Sequence, residues 1–227
     1  DENHTVNKLI NDDNLSISNN ASLTVLDDIN QKNTISITSS GFSNGSLIVK
    51  GNQISINPAD VIYKRFVSGN EWHLISSPVT DFNINTFVAN SPLTEEEQGN
   101  VKSLGFYDNH ANPNWSYYKV GDTPGNFISG KGYSVNTSIK TLLTFRGKLM
   151  SENASKHPIT ENFSGWNLVG NPYTAFINLN TDANENDNFL EKNAQNFDPA
   201  FATIYVWNPN TTSYEPIGNG LGAKYIA

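Results

Sequence analysis

The sequence predicts an all-β protein. A short N-terminal stack of solenoid-like or meandering strands leads into two tandem, related antiparallel units of sandwich-like build. Three observations carry this. Apolar pairs with period two recur through residues 1–60. The segment Gly165-Trp166-Asn167-Leu168-Val169-Gly170-Asn171-Pro172-Tyr173 has a near-copy, Glu71-Trp72-His73-Leu74-Ile75-Ser76-Ser77-Pro78-Val79. The chain is rich in Asn, Ser and Thr, with 37% apolar and 11% aromatic residues. That is too apolar for disorder and suits many short strands joined by turns.

Residues 1–60 form the first region. Its pairs are Leu15/Ile17, Leu23/Val25, Ile35/Ile37, Leu47/Val49 and Ile54/Ile56, spaced 7 to 12 residues apart. Such spacing fits rungs of a solenoid or a meander. Asn44-Gly45 is the clearest hairpin-type turn, since both residues tolerate positive φ.

Residues 61–157 form the first antiparallel unit. Val61-Ile62-Tyr63-Lys64-Arg65-Phe66-Val67 alternates as a strand, Gly69-Asn70 turns, and Trp72 opens a strand that Pro78 stops. Thr94-Glu95-Glu96-Glu97-Gln98 is a helical-turn candidate inside a long connection. Strands follow at Leu104 to Asp108, Trp115 to Tyr118, Gly130 to Val135 and Leu142 to Leu149.

Residues 158–227 replay that order. Trp166 matches Trp72, Pro172 matches Pro78, and a connection with a helix at 188–194 follows. Ile204-Tyr205-Val206-Trp207-Asn208 matches Leu104-Gly105-Phe106-Tyr107-Asp108, and Ser213-Tyr214 matches Ser116-Tyr117. The counterpart of Gly130-Lys131-Gly132-Tyr133 would fall past residue 227, so the second unit is expected to be truncated and the chain to be part of a longer protein. The paired tryptophans are expected in the core.

The quoted Trp–Pro segments resemble a pattern in large secreted or cell-surface, adhesin-like proteins of Bacteroidetes. So do Ala202-Thr203-Ile204-Tyr205-Val206-Trp207-Asn208 and Gly222-Ala223-Lys224-Tyr225-Ile226-Ala227. Residues 14–51 look like the rungs that precede this module in them. The resemblance covers most of the chain. It implies export of the type IX kind, a location outside the cell or on its surface, and other domains of a larger parent protein as partners. Some members sit beside polysaccharide-degrading or peptidase domains.

The formal net charge is −8. An acidic chain argues against nucleic acid, whose phosphates require a basic face. No apolar run is long enough to span a membrane. With no cysteine, thiolate metal sites and disulfide frameworks are excluded.

Catalytic groups are not expected. His4, His73, His110 and His157 are scattered without metal-ligand spacing, no Gly-x-Ser-x-Gly elbow is present, and Glu95-Glu96-Glu97 reads as a solvated run. Calcium is the one candidate cofactor, because Asp182, Asn184 and Asp187 place oxygen ligands near alternate positions. The EF-hand pattern fails there, and a hydrated Asx-rich loop is the plainer reading. Trp115, Tyr117, Trp207 and Tyr214 are the candidate glycan-binding residues. Planar rings stack on the apolar faces of sugars, and the alternation puts Trp115 and Tyr117 on one sheet face with Tyr118 on the other. The expected function is thus a non-catalytic module for adhesion or glycan binding, with a polysaccharide or cell-surface glycan as partner. The alternative is a spacer domain of a secreted hydrolase or peptidase with no ligand of its own. A β-helical polysaccharide lyase is a third reading and would need many more rungs.

Overall fold

Each period-two strand has one apolar side to cover, and in the N-terminal region the strands cover one another by stacking in rungs. The structure, a computed structural model, describes residues 2–55, 61–97, 99–150, 157–161 and 163–227. The first rung is β1 (Asn3–Val6), β2 (Leu9–Asn11) and β3 (Leu15–Ile17). The second is β4 (Ser22–Val25), β5 (Ile29–Gln31) and β6 (Ile35–Thr38). The third is β7 (Ser46–Val49), β8 (Gln53–Ser55) and β9 (Val61–Val67).

Every rung-to-rung pairing is parallel. A meander would pair antiparallel, so this region is a solenoid. Like side chains stack in columns: Val6, Val25 and Val49; Leu15, Ile35 and Val61; Ile17, Ile37 and Tyr63. Polar residues stack as well: Asn3, Ser22 and Ser46 in one column, Asn11 and Gln31 in another. Gln31 is fully buried, and its Oε1 accepts a hydrogen bond from Gln53 Nε2. Ile56 lies outside the described residues.

Asn44-Gly45 is not the tip of a hairpin between strands. Asn44 instead pairs with Ser39 across a small excursion, and Gly45 N donates to Thr38 O on the way into β7. The two flanking strands lie in different sheets of the solenoid.

The chain then turns antiparallel through β10 (Trp72–Ile75), α1 (Ile84–Ala89), β11 (Val101–Tyr107), β12 (Trp115–Lys119), β13 (Tyr133–Asn136) and β14 (Thr141–Gly147). One four-stranded sheet has the order β10-β13-β11-β12, and β14 joins the solenoid sheet as β14-β9-β6-β3. The core runs without a break from solenoid to antiparallel sheet. At its centre Phe87 stacks on Phe145 at 5.3 Å and meets Phe127 edge-on at 5.2 Å, while Phe127 meets Tyr133 at 4.9 Å.

The helix in the long connection is α1, not 94–98. Asn83 caps it, its Oδ1 accepting from Thr86 N at 3.2 Å. Ile84 and Phe87 form its buried side. Glu95 instead bridges in β fashion to Lys102. Gln98 lies outside the described residues.

The chain that follows the solenoid contacts the top strand of each of its sheets. Leu47 N on β7 donates to Thr174 O, and Thr174 Oγ1 donates back to Leu47 O. Leu149 N donates to Gln53 Oε1 above β8. Strand β14 pairs along all of β9. Bare strand edges invite foreign pairing; β14 occupies that of β9 along its length, and Thr174 occupies that of β7 at Leu47.

Contact clustering divides the chain into two compact units, Asp1–Ala175 and Phe176–Ala227. The second holds β15 (Ile177–Asn178), α2 (Phe189–Lys192), β16 (Ile204–Asn208), β17 (Ser213–Ile217) and β18 (Tyr225–Ile226). Its sheets are the antiparallel pairs β15-β18 and β16-β17. Asn188 caps α2 as Asn83 caps α1, and Leu190 is buried. Asn180 is the hub of this unit. Its fully buried amide donates to Gly218 O and Gly222 O and accepts from Ala183 N and Lys224 N.

Candidate functional site

Alternation decides which side chains of the sheet β10-β13-β11-β12 face outward. Ile75, Val135, Tyr133 and Leu104 face inward and are buried. The opposite parity holds Trp72 and Leu74 on β10, Ser134 and Asn136 on β13, Gly105 and Tyr107 on β11, and Trp115 and Tyr117 on β12. Trp72 is therefore not a core residue but 38% exposed, and Trp166 is 52% exposed. The smaller residues Ile75 and Val135 take the interior instead.

Four of the outward residues are aromatic and form a row. The rings of Trp72 and Tyr117 meet at 5.7 Å, tilted by 50°. Those of Tyr107 and Trp115 meet at 5.2 Å and 67°. Gly105 lies under the middle of the row. A Cβ there would stand 3.1 Å from Trp115 Cε3, 3.1 Å from Tyr117 Cε1 and 2.1 Å from Ser134 Oγ. Glycine is thus what lets both rings lie down on the sheet, and the rings in turn shield its backbone.

Two polar atoms on this face have no protein partner, Ser134 Oγ and Asn136 Oδ1. Ser134 is buried. An unpaired buried polar atom costs roughly 1–3 kcal/mol. The four strands carry no carboxylate, and their two cations are Lys102, paired with Glu95, and Lys119 at the end of β12.

Trp115 and Tyr117 thus share a face, and Tyr118 is buried on the other. Trp207 and Tyr214 come together in the second unit. They are register partners across β16 and β17, with rings 5.1 Å apart at 68°. Tyr214 therefore answers to Trp115, not to Tyr117 as the sequence alignment had it. The turns agree as well: Asp108 Oδ1 accepts from His110 N and Asn208 Oδ1 accepts from Asn210 N, both at 2.9 Å.

The second Trp–Pro segment forms no strand of its own. Val169 makes an isolated bridge to Lys131, Gly132 N donates to Leu168 O, and Ser76 Oγ donates to Asn171 O at 2.7 Å. It packs beside the first copy within unit one. Tyr107 OH and Ser164 Oγ lie 3.5 Å apart at the end of the aromatic row.

No family model matches the chain, and neither a curated protein nor a solved structure matches it.

The three candidate calcium ligands are each engaged by protein groups of the second unit. Asp182 Oδ2 accepts from Gly220 N at 2.7 Å, Asn184 Oδ1 accepts from Asn186 N and Asp187 N, and Asp187 pairs with Lys192. Among the described residues no three His, Cys, Asp or Glu side chains converge on a metal position.

The histidines sit in structural settings. His73 Nε2 bonds Ser68 Oγ and Ser68 O. Burial holds its pKa below the ordinary histidine value, partly offset by the Ser68 carbonyl and Glu71. His157 is likewise lowered, by burial first and by Lys131 second.

Trp72 and Tyr107 were not among the residues chosen from sequence. The signal that could have found Trp72 is the strand's own alternation. With Ile75 as the inward residue next to the proline turn, Trp72 must face out.

Proposed function

We propose that this chain is a non-catalytic glycan-binding module of a secreted or surface-exposed protein, acting in adhesion. The observation that supports it is the row Trp72–Tyr117–Trp115–Tyr107 on an outward sheet face. Monomeric proteins rarely leave several large rings contiguous and solvent-facing without a partner for them. Aromatic rings offer large, stiff contact area at little entropic cost, which suits recognition of the apolar faces of sugar rings.

A glycan array followed by affinity electrophoresis tests this reading. The wild type is expected to be retarded by at least one polysaccharide, and the double variant W72A/Y117A to run freely while keeping its circular dichroism spectrum. Absence of binding to every glycan would leave the chain as a spacer within a larger protein.

A further inference from the structure

We propose, resting on the glycan-binding reading, that the aromatic row takes the interior of an extended, uncharged polysaccharide rather than a chain end or an acidic glycan. The first ground is shape. The rings lie on a sheet face over Gly105, with Trp115 and Tyr117 each 3.1 Å from its Cβ position. Recognition of a terminal sugar needs a concave pocket with polar groups converging on it. Rings laid along a sheet face can instead follow successive sugars of a polymer.

The second ground is number. Trp72 and Tyr117 meet ring to ring at 5.7 Å and Trp115 and Tyr107 at 5.2 Å, and Tyr117 and Trp115 both lie over Gly105. One pyranose covers one ring, so filling the row takes several consecutive sugars. Each added stacking contact is then an intramolecular event that raises affinity with chain length.

The third ground is charge. The chain carries −8 overall, the strands of this sheet carry no carboxylate, and of their two lysines Lys102 is paired with Glu95. A uronate or sialylated polymer would meet no cationic cluster here and would be repelled by the whole molecule.

The test uses the full chain and isothermal titration with cello-, xylo-, manno- and β-1,3-gluco-oligosaccharides from disaccharide to hexasaccharide. The corresponding neutral polymers and polygalacturonate complete the panel. For at least one neutral series, affinity is expected to rise about tenfold or more from disaccharide to hexasaccharide and to change little when the reducing end is converted to an alditol. Y117A, at the centre of the row, is expected to weaken polymer binding about tenfold or more, as loss of an aromatic anchor does. W115A should do the same, and near-ultraviolet circular dichroism reports whether either variant disturbs the other rings. Affinity independent of length, dependence on a free chain end, or preference for polygalacturonate would overturn the inference while leaving glycan binding in place. Binding to no member of the panel, if the glycan array is also blank, would overturn both.

Discussion

The hairpin β11-β12 of the first unit and the hairpin β16-β17 of the second carry the same aromatic device. Each sets a tyrosine and a tryptophan opposite one another with nearly equal ring distance and tilt, 5.2 Å and 67° against 5.1 Å and 68°. Each closes on an Asx turn. They differ one step along the strands. Gly105 faces Tyr117 in the first, where Tyr205 faces Pro216 in the second. The first hairpin also belongs to a four-stranded sheet that brings Trp72 to Tyr117, whereas β16 and β17 form a two-stranded sheet. The cross-strand ring pair therefore belongs to the repeat. The extended row depends on a glycine and on a neighbouring strand that the first unit supplies.

Experiments can press on this comparison. The largest effects are expected at the two helices that follow the proline turns. Phe87→Ala removes a fully buried ring packed on Phe145 and Phe127, and should cost about 3–5 kcal/mol in urea unfolding. Leu190→Ala, on the shorter α2, should cost about 2–5 kcal/mol. A larger loss at Leu190 than at Phe87 would break the picture of a heavier first core.

Next comes Gly105→Val, which must displace Trp115, Tyr117 and Ser134 at once. A cost of about 1–3 kcal/mol is expected, with a changed near-ultraviolet spectrum and loss of the glycan binding proposed above. Tyr205→Gly, the reciprocal change in the second hairpin, should leave binding at the first row untouched. The caps should behave alike. Asn83→Ala and Asn188→Ala are each expected to cost about 1 kcal/mol, read as the melting temperature.

The smallest effect concerns pH. The first Trp–Pro segment has His73 where the second has Asn167, whose amide bonds Thr160 N, Thr160 O and Gly165 O. Burial keeps His73 harder to protonate in the folded chain than in the unfolded one. As pH falls through the ordinary histidine value of about 6.5, the unfolded state gains the proton first and stability drops. The loss continues down to the folded pKa. His73→Asn should flatten part of that slope below neutral pH, leaving the share from His157, which burial and Lys131 lower in the same direction. An unchanged slope would remove His73 from the account.

Much of this was legible in the sequence. Period-two pairs locate the solenoid strands because each must bury one face. The duplicated order of tryptophan, proline, helix and aromatic hairpin survives in the caps and ring pairs. What alternation cannot say is whether neighbours run parallel, since Leu15/Ile17 would alternate equally well in a meander. Equivalent positions in the repeat suggest a core place for Trp72 and Trp166, whereas parity with Ile75 puts Trp72 on the outer face. Helix α1 was missed because Glu95-Glu96-Glu97 has stronger helix propensity than Ile84 to Ala89. The cap at Asn83 and the aromatic core that receives Phe87 override that preference. The aromatic row as a whole was out of reach, because Trp72 and Tyr117 meet only through the strand order β10-β13-β11-β12.

The closing of the solenoid by Thr174 has a consequence in time. The contact between Thr174 and Leu47 spans 127 positions, and those of Leu149 with Gln53 and of Asn171 with Ser76 span 96 and 95. A chain emerging from its N-terminus presents the three rungs long before the residues that seal their upper edge exist. Closure over such distances is slow, and parallel edges left bare in the interval are prone to join the wrong chain. β14 covers β9 first, and until Thr174 arrives the growing chain has nothing of its own at Leu47 of β7.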